Sequence, residues 1–127
     1  MTSQTSIQHL DDDECRRFTG TVELIGKRWS ASILVAIARD AHRFSEILNA
    51  VSGLSDRLLA QRLRELEAAA LLSREVIPST PVQVRYYLTD SGADLLRALE
   101  PVVGWGQRWR PLPAPASSPP RRSRSVV

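Results

Sequence analysis

The chain has 127 residues, a hydrophobic fraction of 43% and a formal net charge of +3, which suits one domain with a single buried core. Its one cysteine excludes an internal disulfide framework, and no run of about 18 apolar residues offers a membrane span. The start lacks the charged-then-apolar pattern of a secretory signal, so we expect a cytoplasmic protein. The arginines of the C-terminal tail account for the whole net charge, so the net charge says little about an anionic partner.

Four helices are predicted before the middle of the chain. Residues 1–10 are polar and are expected to be flexible, and a domain is predicted over residues 11–110. Apolar residues recur at helical spacing in three segments, at about residues 12–25, 29–38 and 44–51. Phe18, Val22 and Ile25 share one face of the first segment, and Gly26 ends it.

The fourth helix, over residues 55–70, has a clear start signal. The Ser55 hydroxyl can accept a backbone N–H of the first turn, and Asp56 suits the positive end of the helix. An apolar stripe is predicted at Leu59, Leu63, Leu66 and Ala70. The opposite face carries Arg57, Ala60, Gln61 and Arg64.

Two alternating segments, residues 72–77 and 82–88, predict a β-hairpin. The side chains expected to face inward are Leu72, Arg74, Val76, Val82, Val84, Tyr86 and Leu88, whereas Gln83 and Arg85 are expected to face outward. The intervening Pro78-Ser79-Thr80-Pro81 forms the loop, because proline cannot donate to a strand ladder.

A last helix is predicted from Thr89 to about Arg110, with a bend or a break at Pro101. Residues 111–127 are rich in proline, serine and arginine, and we expect them to be a disordered tail.

The order short helix, turn, basic helix and hairpin is typical of a winged helix-turn-helix, which inserts one helix into a DNA groove. The predicted fold is mainly α with a small β-hairpin wing, and it dimerises through its N- and C-terminal helices. The candidate DNA contacts are Arg43, Ser45, Ser55, Arg57, Gln61, Arg64, Ser79, Thr80, Gln83 and Arg85. Arginine can pair with guanine and glutamine with adenine, whereas serine and threonine suit phosphate.

Simpler roles remain open for several of these side chains. A basic helical face is often only solvated, and the wing residues could belong to a plain exposed hairpin. Arg43 and Ser45 could grip phosphate at a helix N-terminus or simply cap it. Arg62 lies beside the apolar stripe, so we predict a structural salt bridge with Glu65 or Glu46 instead of a base contact.

Two further features have alternative interpretations. Cys15 is either a redox sensor that forms an inter-subunit disulfide or a small, half-buried apolar residue. Trp105 and Trp109 lie one turn apart and could line a ligand pocket, belong to the core or stack across a dimer interface. We favour the dimer, whose interface residues are predicted to be Phe18, Val22, Leu95, Leu99, Val102, Trp105 and Trp109.

No catalytic or metal-binding pattern is present. His9 and His42 lack metal-ligand spacing and a nucleophile nearby, and there is no glycine-rich phosphate loop. We therefore expect neither an enzyme nor a cofactor.

Several segments together resemble the HxlR-type (DUF24) branch of the MarR-like bacterial regulators. They are Cys15, Leu24 to Trp29, Ile33-Leu34, Arg43 to Ile47, Leu58 to Glu67, Tyr86 to Gly92 and Trp105-Gly106. The resemblance spans about residues 15–109. Departures from the family pattern are Arg16, where a proline is usual, and Gln83, where a wing arginine is common.

The resemblance implies a homodimer that binds a palindromic operator on double-stranded DNA as a repressor or an activator. It also implies that Cys15 occupies the position of a cysteine through which several relatives sense oxidants or reactive small molecules. The function predicted from the sequence is a transcriptional repressor with a small-molecule or redox effector. The alternative is a winged-helix module for protein interaction or ligand binding without DNA, and salt dependence separates the two.

Overall fold

The computed structural model describes residues 6–110 and residue 112. Its helices are α1 (Asp12–Gly26), α2 (Ser30–Ala38), α3 (Phe44–Ala50), α4 (Asp56–Ala68) and α5 (Asp90–Trp109), and its strands are β1 (Leu72–Ile77) and β2 (Gln83–Leu88). The strands form one antiparallel pair, so the predicted helical fold with a hairpin wing is confirmed. Residues 1–5 of the predicted flexible start and most of the predicted tail lie outside the described residues.

The chain divides into two compact units, with the boundary after Leu96. In the first unit, α2, α3, α4 and the start of the wing surround one apolar core. The fully buried side chains of this core include Ile33, Leu34, Ile37, Ile47, Leu59, Leu63, Leu66 and Leu72. The core thus holds the helix-turn-helix, α3 and α4, in a fixed orientation.

Helix α4 begins where its sequence predicts and ends earlier. The Ser55 hydroxyl accepts a hydrogen bond from the backbone N–H of Leu58 at 3.1 Å. The helix stops at Ala68 because Ala70 takes a left-handed backbone conformation, with φ at 64°. The N–H of Leu71 then donates to the carbonyl of Leu66, which closes a Schellman-type end. The prediction of a buried Ala70 within the helix is therefore wrong, since Ala70 is exposed beyond its end.

The wing has the predicted register but not the predicted burial. Leu72 pairs with Leu88 and Val76 with Val84, which places these four side chains on the face opposite Gln83 and Arg85. Only the end of the hairpin near the core is covered. The inward prediction is wrong for Arg74, Val76 and Val82, which are exposed, because no neighbouring element packs on that part of the wing.

The end of β2 is joined tightly to the start of α5. The Thr89 hydroxyl accepts from the N–H of Gly92 at 3.0 Å and donates to the carbonyl of Ala70 at 2.6 Å. A Cβ atom at Gly92 would lie 2.2 Å from the Leu71 carbonyl oxygen. Only glycine fits there without a shift of the backbone, so the sequence Thr89 to Gly92 fixes where α5 begins.

Helix α5 continues through Pro101, so the predicted break does not occur. Its residues from Arg97 onward belong to the second compact unit. In that unit Val102, Val103, Trp105 and Trp109 are exposed, and Trp109 is 69% accessible. Across the described ranges, no helix combines the length and the apolar character that a membrane span requires.

Candidate nucleic-acid interface

The interface is built around the turn between α3 and α4. Gly53 has φ at 89°, a backbone conformation that glycine adopts without cost. An added Cβ atom at Gly53 would lie 3.2 Å from the Trp29 ring, so glycine also allows the turn to pack closely there. The turn directs the chain into α4, whose leucine stripe packs into the core and leaves the opposite face exposed.

Arg57 and Arg64 lie on this exposed face of α4. Within the part of the chain that the structure describes, neither guanidinium forms a hydrogen bond or an ion pair. Gln61, between them, is also exposed, and its amide donates to Glu65 at 3.2 Å. Two cations and an amide are therefore presented together on one solvent-facing surface, as a helix in a DNA groove requires.

Arg62, in contrast, is held by the protein itself. Its Nε donates to the carbonyl of Arg28 at 3.0 Å, and its Nη1 lies 3.2 Å from Glu65 Oε1. The predicted structural salt bridge is confirmed with Glu65 as the partner. The contact to Arg28 joins α4 to the segment between α1 and α2.

Glu65 is the centre of this cluster. Its carboxylate accepts from Gln61, and Lys27 lies 3.5 Å away as a second cation. The hydrogen bond from Gln61, followed by the charges of Lys27 and Arg62, lowers the pKa of Glu65 below its ordinary value, although desolvation opposes this shift. Glu65 is thus ionised at neutral pH and stabilises the base of α4.

At the start of α3, the Glu46 carboxylate accepts the backbone N–H groups of His42 and Arg43, each at 3.0 Å. These hydrogen bonds lower the pKa of Glu46 below its ordinary value. Arg43 and Ser45 are both exposed beside it. Because an internal carboxylate already caps this end, any phosphate contact here would come from the Arg43 and Ser45 side chains and not from a free helix end.

The structure brings Arg43 next to Arg85, which the sequence did not predict. The N–H of Tyr86 donates to the carbonyl of His42 at 2.8 Å, and His42 Nδ1 lies 2.8 Å from the Tyr86 carbonyl oxygen. Through this pairing, Arg43 stands directly opposite Arg85 in an antiparallel bridge. Opposed residues in such a bridge have Cα atoms about 5 Å apart and side chains on the same face. Two cations from distant parts of the sequence therefore share one position beside the helix-turn-helix.

Arg85 is half-buried, and its Nε is a buried donor without a partner among the described residues. Its Nη2 donates to Gln83 Oε1 at 3.2 Å. Like charges on opposed residues destabilise each other, so an anion that bound both Arg43 and Arg85 would relieve this repulsion. At the tip of the wing, Ser79 and Thr80 are exposed, and the Ser79 hydroxyl donates to the Pro81 carbonyl at 2.6 Å.

The remaining predicted residues lie on α1 and α5. Cys15 is exposed in the first half of α1, so the prediction of a half-buried apolar residue is wrong for the single chain. Phe18 and Val22, further along α1, are also exposed. Leu95, on the first turns of α5, is half-buried against the core, and Leu99 is half-buried in the second unit. No group of three or more metal-ligating side chains is found in the described ranges.

Comparison with known proteins identifies the family. The model of the HxlR-like helix-turn-helix family matches residues 24–113. YvaP, an HTH-type transcriptional regulator of Bacillus subtilis, is 42% identical over 75% of this chain and 88% of its own length. The structure of reduced YodB from B. subtilis is 33% identical, with a TM-score of 0.70 over 76% of this chain and 94% of that one. YodB has also been solved after diamide treatment.

A protein described as a MarR-family transcriptional regulator, from Enterococcus faecalis V583, also has a TM-score of 0.70, at 28% identity over 82% of this chain and 93% of its own. The winged helix, the exposed basic face of α4 and the matched family model agree with one another. The chain belongs to the HxlR-like helix-turn-helix family and is a DNA-binding transcriptional regulator.

Proposed function

We propose that this protein is a homodimeric repressor that binds a palindromic operator in double-stranded DNA, with one α4 in each half-site. The observation that supports this most directly is the difference between neighbouring arginines. Arg62 is committed to Glu65 and Arg28, whereas Arg57 and Arg64 on the same helix have no partner among the described residues. A helix that held its arginines only for stability would be expected to pair them as it pairs Arg62.

The proposed contacts differ in what they recognise. Arg57 and Gln61 read base edges in the major groove, and Gln61 exchanges its hydrogen bond to Glu65 for one to a base. Arg64, Ser55 and Ser45 contact the DNA backbone. Arg43 and Arg85 hold one phosphate between them, and Gln83, Ser79 and Thr80 of the wing contact the adjacent backbone.

The proposed dimer contacts are apolar residues on α1 and on α5. Phe18 and Val22 are exposed on α1, and Val102, Trp105 and Trp109 are exposed on α5. Large apolar side chains in such numbers usually mark an interaction surface. A second copy would cover them and would supply the second recognition helix that a palindrome requires.

We also propose that Cys15 makes the repressor sensitive to oxidants. Cys15 is exposed and is the chain's one cysteine, so an inter-subunit disulfide would join the two copies of Cys15. The two thiols would give two protons and two electrons to the oxidant. The solved forms of YodB, reduced and diamide-treated, show that a relative of this chain has been studied under both conditions.

The test of the proposal is the selection of binding sites from random duplexes with the full-length protein. We expect an inverted repeat with half-sites about 34 Å apart, or a multiple of that distance, bound by two chains per duplex. Affinity should fall steeply with salt concentration, because bound phosphates release their counterions. Selection that enriches no repeat, together with an affinity that salt does not change, would contradict the proposal.

A further inference from the structure

A cleft runs along the exposed face of α2, on the side of the molecule's first unit where the α3–α4 turn begins. Its volume is about 730 Å³, within the range of about 300–1,000 Å³ that is usual for small-molecule sites. One wall is the solvent face of α2, from Ala31 to Arg39, and the other is formed by Ala50, Val51 and Ser52. The cleft exists because the facing residues of the two walls are small.

One end of the cleft is aromatic and held rigidly. Trp29 precedes α2 in a left-handed conformation, with φ at 80°, which is strained for a bulky residue. Its ring packs against Gly53, and the Arg28 guanidinium lies 4.8 Å from the ring centroid. These contacts fix the position of the Trp29 ring at the mouth of the cleft.

The other end is cationic. Of the ten described residues that line the cleft, Arg39 alone is charged. Its guanidinium forms no hydrogen bond or ion pair within the described ranges. Between the two ends, Val35 is 41% exposed on α2, so the middle of the cleft offers an uncovered apolar surface. Ser32 and Ser52 contribute hydroxyl groups at the sides.

We propose that this cleft binds a small amphipathic monocarboxylate, with the apolar body of the ligand on Val35 and toward Trp29 and its carboxylate on Arg39. Trp29 and Arg39 are ten residues apart, which corresponds to about 15 Å along a helix. A ligand with an apolar body about ten atoms long spans this distance. The arrangement of one cation at the end of an apolar groove selects an acid over the corresponding alcohol.

The bound ligand would act on the DNA-binding element through the opposite wall. Ala50, Val51 and Ser52 lead directly into the turn that positions α4. Occupation of the cleft therefore changes the preferred orientation of α4 relative to α2, which shifts the affinity for DNA. This regulatory consequence rests on the proposed function, whereas the binding of the ligand does not.

The experiment uses decanoate as the probe and decanol as its uncharged match, on the full chain without DNA. Amide chemical shifts are followed by NMR during titration of each compound. We expect decanoate to shift the amides of Ser32, Val35, Arg39 and Ser52. Arg39→Gln should weaken decanoate binding about tenfold, since a hydrogen bond to a charged group is worth about 1.5–3 kcal/mol.

Two controls keep the result specific. Arg17→Gln removes an exposed arginine on α1 and should leave decanoate affinity unchanged. Ala31→Trp fills the cleft from an exposed position and should abolish binding, while Arg39→Gln provides the second test if the tryptophan variant does not fold.

Three results would overturn the proposal. The first is equal binding of decanoate and decanol, and the second is a set of shifted amides that lies away from the cleft. The third is a cleft already covered by a second copy of the chain, which would appear as concentration-dependent shifts of the same amides without ligand. Failure of operator binding in the selection experiment would leave these shifts unchanged, so the two proposals fail separately.

Discussion

The assignment of arginines on α4 depends on what each side chain touches. The sequence separated Arg62 from Arg57 and Arg64 because Arg62 lies beside the leucine stripe, and the contacts of Arg62 with Glu65 and Arg28 confirm that separation. The pairing of Arg43 with Arg85 could not be predicted in the same way. It depends on a bridge between residues that are far apart in the sequence.

Glu65 should make a pH-dependent contribution to stability. Its pKa is lowered in the folded protein, so the contribution is present above the unfolded pKa and is lost as the pH falls through the folded pKa. Glu65→Gln should therefore lower the urea midpoint at about pH 7, and the difference from the wild type should shrink toward about pH 3, where the carboxyl is protonated.

The matched control is Glu67→Gln, one turn of the same helix but exposed. It should change the midpoint little at either pH, because no partner of Glu67 is found in the described part of the chain. A Glu65→Gln effect that stays constant between the two pH values would contradict an ionic role for Glu65.

At the scale of the elements, α4 illustrates what sequence patterns predict. Its start was predictable because Ser55 is a local cap, and its buried face was predictable because Leu59, Leu63 and Leu66 recur at helical spacing. Its end was not, because an alanine in a left-handed conformation leaves no signal in the sequence. Similarly, alternation in the wing predicts which face a side chain takes but not whether another element covers it.

The left-handed Ala70 leads to a prediction about stability. Ala70→Gly should raise the free energy of unfolding by about 0.5–1 kcal/mol, because glycine removes the left-handed penalty but loses more entropy on folding. Chemical denaturation measures this change.

The neighbouring Ala69 provides the control, since its φ is −84°. Ala69→Gly should destabilise the protein by about 0.5–1 kcal/mol. If both variants were destabilised equally, the left-handed end of α4 would be wrong.

For the whole molecule, the fold and the family could be predicted, since the order of helices and strands is unusual and each boundary has a local signal. The cleft along α2 could not be predicted. It arises where small residues of α2 meet small residues near the α3–α4 turn, and small residues carry no distinctive pattern by themselves.

The proposed dimer and the exposed Cys15 lead to one prediction at this scale. Diamide should convert the wild type to a covalent dimer on a non-reducing gel, and dithiothreitol should reverse it. Cys15→Ser should show no such band but should retain the non-covalent dimer in sedimentation equilibrium. A wild type that forms no covalent dimer would contradict the inter-subunit disulfide, and a monomer in both proteins would contradict the dimer.

The exposed face of α4 is the part of the molecule on which the regulatory function depends most, and Arg57→Ala tests it directly. We would titrate the selected operator and its single-base variants with the wild type, Arg57→Ala and the control Arg17→Ala, and measure fluorescence anisotropy. Arg57→Ala should lose about 1–3 kcal/mol on the operator and lose its preference at one base position of each half-site, while Arg17→Ala keeps both affinity and preference. An Arg57→Ala protein with unchanged affinity and unchanged base preference would show that α4 does not read the DNA.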